Sequence, residues 1–107
     1  MPDRAEIERI ATELSKRLAA EGKLIEAGWA GYRLLVLPQD ASQLQIDECR
    51  TAFMAGSQHL FSSIMVVLDP GGDPTDADLK KMDLIDQELR AFAREMNLRA
   101  TKSRGSA

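Results

Sequence analysis

The chain predicts an all-α fold, an antiparallel bundle of three long helices that forms a homodimer. Three observations carry this. Apolar residues recur at steps of three and four along most of the chain, the helical period. Aromatic residues make up only 5% of the 107 residues, while Ala, Leu, Glu, Lys and Arg are plentiful, a composition of helices rather than strands. Finally, Asp3–Glu6, Ser42–Gln45 and Thr75–Asp78 each carry the spacing of a capping box at the head of such a run.

The first helix starts at Asp3, with Pro2 just outside it. Ile7, Ala11, Leu14, Leu18, Gly22, Ile25, Trp29, Tyr32 and Val36 then follow at steps of three or four without losing phase. That rhythm reads as one continuous helix from about Asp3 to Leu37. A break near Ala20 to Lys23 is the alternative, because Gly costs ~1 kcal/mol relative to Ala in a helix interior. The string AEGK also has the form of a C-cap followed by a restart. Tyr32 to Pro38 has strand-like composition, but a lone strand has nothing to pair with and is not a stable unit. Pro38 ends the helix by forcing the preceding residue out of the helical region.

Residues 38–42 make a short connection, so the first two helices are antiparallel neighbours. The second, Ser42 to Leu68, contains no proline. One side offers Ile46, Cys49, Phe53, Gly56, Leu60, Ile64 and Val67; another offers Met54, Phe61, Met65 and Leu68. Small residues on both helices (Ala27, Gly28 and Gly31 against Ala52, Ala55 and Gly56) predict close backbone approach, with Gly56 opposite Leu24 to Gly28. Two apolar faces imply two partners, hence the homodimer or a hetero-interface.

The loop DPGGDPT, Asp69 to Thr75, is the clearest break in the chain. In the last helix Met82, Ile85, Leu89, Phe92 and Met96 alternate steps of three and four, a narrow a/d seam. This helix is expected to end near Asn97 or Leu98. That gives one helical-bundle domain over 1–98 and a disordered basic tail over 99–107; Arg94, Arg99, Lys102 and Arg104 crowd the C-terminal end of the chain against Glu95 alone.

Function is bounded mainly by exclusion. The net charge of −3 implies no general attraction to nucleic acid or anionic membranes. Cys49 is the only cysteine, so no intramolecular disulfide can form and a reducing cytoplasm is the expected compartment. MPDRAEIERI lacks a signal-peptide hydrophobic region, and Ile64 to Leu68 is too short to span a bilayer. The aspartate-rich loop does not match an EF-hand: counted from Asp69, the third position is Gly71 and the twelfth Lys80. His59, the only histidine, lies ten residues from Cys49 on one helix, ~15 Å along its axis, so the two cannot share a metal. Ser62 and Ser63 are near His59, but residues on one helix surface do not aim at a common atom as a catalytic triad does. Gly71 and Gly72 lack Walker or Rossmann spacing. No enzyme, metal or cofactor is implied.

What remains is recognition. Trp29, Arg33, Gln58 and His59 are expected to rim a cleft where Gly56 brings two helices together, and Phe61 lies on the face left for a partner. Tryptophan and arginine together are frequent interface anchors. The competing reading of Trp29 and His59 is plain core packing. The leading function is a helical protein–protein interaction module; the alternative is a nucleic-acid accessory protein using the basic end.

The segments GKLIEAGWAGYRLLVLP, AFMAGSQHLFSSIM and DPTDADLKKMDLIDQEL together resemble a group of small, functionally uncharacterised proteins encoded by phages and prophages of proteobacteria. The resemblance covers most of Gly22 to Leu89. It implies a phage or mobile-element origin and a bacterial cytoplasm, where such a module would act as an inhibitor or adaptor on a host factor. It brings no activity and no site residues with it.

Overall fold

A computed structural model of the chain describes residues 2–68 and 70–105; side chains from Ser103 onward, Asp69 and the last two residues lie outside what it describes. The described residues are all-helical, in four helices: α1 (Arg4–Ala20), α2 (Leu24–Leu35), α3 (Gln43–Val67) and α4 (Asp76–Gly105). They fall into two compact units, Met1–Phe61 and Ser62–Ala107, each taken by itself below.

The expected continuous first helix is corrected to two helices. Gly22 takes the left-handed conformation, φ +82°. The Lys23 N–H donates to Leu18 O at 2.8 Å and the Gly22 N–H to Ala19 O at 3.0 Å. These are the 6→1 and 5→2 bonds of a Schellman motif, which satisfies the last carbonyls of α1 and turns the chain back. The unbroken apolar rhythm was no evidence of continuity, because two helices that pack on each other each need an apolar face.

In the first unit α1 and α2 form an antiparallel hairpin. Arg4 near the start of α1 donates to the carbonyl of Leu35 at the end of α2, at 3.0 Å. Ser15 Oγ donates to Ala27 O at 3.1 Å. Gly31 also faces α1, where a Cβ would lie 3.8 Å from Ser15 Oγ. Ala27 and Gly31 of α2 therefore serve approach to α1, whereas Gly28 faces Phe53 of α3. Buried apolar side chains are Ile7, Ala11, Ala27, Trp29, Ala30 and Leu37, so the core of this unit is the hairpin and its exit.

All three N-cap bonds form, and the reciprocal bond of a capping box is seen at Thr75–Asp78. The Glu6 N–H donates to Asp3 Oδ1 at 2.9 Å, and the Gln45 N–H to Ser42 Oγ at 3.1 Å. Thr75 and Asp78 bond reciprocally, each backbone N–H reaching the other's side chain at 3.1 Å.

In the second unit the turn before α4 shelters a cavity of about 290 Å³ lined by Ile64, Leu68, Pro74, Leu79 and Met82 among others. Lys81 Nζ reaches back to donate to Val67 O, one of the open carbonyls at the end of α3. α4 does not stop near Leu98 but continues to Gly105. Arg99, Ala100 and Lys102 favour helix, Arg99 pairs with Glu95 at 2.8 Å, and no breaker intervenes before Gly105. The expected tail is thus helical through Gly105, and its last two residues lie outside the described ones.

Candidate interaction surface

α2 and α3 meet near their connection through long side chains. The Trp29 and Tyr32 rings stack with centroids 6.0 Å apart, and Phe53 meets Trp29 edge-on at 5.7 Å. Phe53 reaches α2 because Gly28 has no side chain there: a Cβ would lie 3.2 Å from Phe53 Cζ. The Arg50 guanidinium lies 5.9 Å from the Trp29 ring centroid, within cation–π range.

Arg50 also grips Glu26 with both terminal nitrogens: Nη1 donates to Oε2 at 3.0 Å, and Nη2 donates to Oε1. The pair is about two-fifths exposed on each side. Accepting these charged hydrogen bonds holds the Glu26 carboxyl below its ordinary value of 4.5 and pushes Arg50 further up. Together, two aromatic rings from α2, one from α3 and a bidentate ion pair fasten the start of α3 to the hairpin.

The expected cleft is not formed. A Cβ on Gly56 would meet nothing within 4 Å, so α2 does not come close there. Trp29 is buried, only 8% exposed, and is spent on internal packing. Arg33 is half-buried and lines a separate cavity of about 180 Å³ with Pro2, Ile7, Ile10, Leu34 and Gln39. Gln58, His59 and Phe61 are exposed on α3, beyond the point where Phe53 meets α2. The five candidate residues are therefore distributed over three places.

The cause lies at Gly22. A continuous first helix would have run the length of α3. Because the chain turns back, α3 is faced by the twelve-residue α2, ~18 Å long, against ~37 Å for α3 itself. None of the α3 residues is buried. Within the first unit this leaves Leu60 and Phe61 uncovered, Phe61 at 65%.

Sequence reasoning placed Gly28 against the second helix but missed Glu26, Arg50 and Tyr32 as partners of this contact. The available signal was the pairing of opposite charges on the two helices: counted outward from residue 40, Glu26 and Arg50 come within about a turn of each other.

Chemically, the surface offers apolar and aromatic contact with a few polar groups at its edge. Among the described residues, no group of three or more His, Cys, Asp and Glu side chains is placed to hold a metal ion. No described helix is long and apolar enough to cross a membrane. Compared with protein-family models, curated proteins and solved structures, the chain matches none.

Proposed function

We propose that the protein is a non-enzymatic helical interaction module that binds another protein through the exposed part of α3 ending at Phe61. The observation that carries this is the uncovered Phe61 on a helix with no buried residue. Soluble chains rarely leave contiguous large apolar side chains open unless another molecule covers them. Exposed Gln58, three residues before Phe61 and on the same helix face, supplies a polar neighbour at the edge of the apolar contact. The resemblance to phage- and prophage-encoded proteins favours a bacterial host factor as the partner, with the module acting as inhibitor or adaptor in the cytoplasm.

Affinity capture from a bacterial lysate tests this. Wild-type chain should retain a discrete partner that Phe61→Glu loses and Gln58→Ala weakens. Equal capture by all three, or by none, removes the reading. Trp29→Ala is unsuitable here because it opens the core.

A second reading has one observation in its favour: the basic end is carried on helix, with Arg94, Arg99 and Lys102 exposed along α4. A salt-sensitive nucleic-acid shift lost on truncation after Leu98 would establish that reading instead.

A further inference from the structure

α4 is 30 residues long, ~45 Å, and is apolar along one seam. Leu89 and Phe92 in the middle of the seam are 56% and 58% exposed, and Met82 is 44% exposed. Ile85 and Met96 are half-buried. A helix carrying a regular a/d seam exposed at its centre has the form of half of a helix pair. The question is what supplies the other half.

The charge along α4 answers it. Up to Leu89, Asp76, Asp78, Asp83, Asp86 and Glu88 outweigh Lys80 and Lys81. Beyond Leu89, Arg90, Arg94, Arg99 and Lys102 outweigh Glu95, which is itself held by Arg99. This polarity is wider than the helix dipole explains, because the dipole's influence fades within the first and last turns. Asp83, Asp86, Glu88, Arg90 and Arg94 all lie further in than that. An acidic half and a basic half on one helix are complementary to the same helix reversed.

We propose that α4 pairs antiparallel with α4 of a second copy of this chain, the two-fold axis passing near Leu89. In that register Met82 lies across from the partner's Met96, and each acidic half lies along the partner's basic half. A parallel pairing would place like halves together and is disfavoured by the same charges. The contact is isologous, so it closes at two copies and does not propagate. The i,i+4 pairs Arg90–Asp86 (2.7 Å) and Arg99–Glu95 support the single helix but leave the seam open. The inference rests on the reading of the chain as an interaction module and adds a second contact, distinct from the one at Phe61.

The test uses the full chain with Cys49→Ser as background. Light scattering should give a dimer at micromolar concentration that Phe92→Glu converts to monomer and that weakens several-fold as salt is raised. Leu84→Glu, an exposed position off the seam, should leave the dimer intact. Under mild oxidation Leu89→Cys should cross-link to itself. Met82→Cys should cross-link to Met96→Cys in a mixture but not to itself, since a disulfide needs Cα atoms within ~7 Å. A clean monomer, a dimer indifferent to Phe92→Glu, or self-cross-linking of Met82→Cys would each overturn the proposal. Phe61→Glu separates the two readings: it should abolish partner capture and leave the dimer unchanged. Loss of the dimer in Phe61→Glu would also overturn the placement on α4.

Discussion

Gly28 and Phe53 meet where α2 faces the start of α3, with the phenyl Cζ 3.2 Å from the point where a Gly28 Cβ would sit. That one missing side chain lets Phe53 join Trp29 and Tyr32, and it makes Gly28 the glycine whose smallness matters between these helices. Gly28→Leu should therefore displace the ring and cost about 1–3 kcal/mol, the usual range for overpacking. Chemical denaturation followed by Trp29 fluorescence reads both the loss of stability and the altered ring environment.

Gly56 should behave in the opposite sense. It is interior to α3, and a Cβ there meets nothing within 4 Å. Gly56→Ala should stabilise the chain by ~1 kcal/mol through helix propensity alone. A loss of stability in thermal unfolding would mean that something packs against this position after all.

Gly22 is the hinge of the fold, and its positive φ is unfavourable for any residue with a Cβ. Gly22→Ala should cost ~1–2 kcal/mol while keeping α1 and α2 helical. Circular dichroism should show unchanged helix content and a lower melting temperature. A rise in both would mean that the chain prefers the uninterrupted helix.

The Glu26–Arg50 pair makes stability depend on pH in one direction. The folded Glu26 carboxyl lies below its ordinary value of 4.5. Its contribution is therefore complete above the ordinary carboxylate range and disappears as pH falls through the folded value. Glu26→Gln should be less stable than wild type at neutral pH, and the difference should close on acidification. Because the pair is about two-fifths exposed, added salt should reduce the difference as well.

Trp29 and His59 separate packing from surface. Trp29→Ala removes a buried ring that touches Tyr32 and Phe53 and should cost ~3–5 kcal/mol. His59→Ala alters an exposed position and should stay within ~0.5 kcal/mol of wild type. Urea titrations of the two variants decide the matter.

Local chemistry was legible residue by residue. Asp3, Ser42 and Thr75 cap their helices because a side-chain oxygen two or three residues before free N–H groups has few better partners, and that relationship is complete within four residues. The helical character of every long segment was legible for the same reason. The candidate site was not: Arg33 and Trp29 lie four apart on one helix yet serve a cavity beside Ile7 and an aromatic cluster with Phe53. Their separation depends on where α1 and α3 lie, which spacing along α2 does not contain.

By itself, then, the sequence determined that the described chain is helical, where α1, α3 and α4 begin, and that α4 carries a seam. Only the tertiary structure decided that Gly22 is a turn, because AEGK is compatible with both a helix interior and a Schellman cap. The choice follows from what each outcome buries. Turning back sets Ala27 and Gly31 against Ser15 and builds the hairpin core, and within the first unit it leaves Phe61 of α3 exposed.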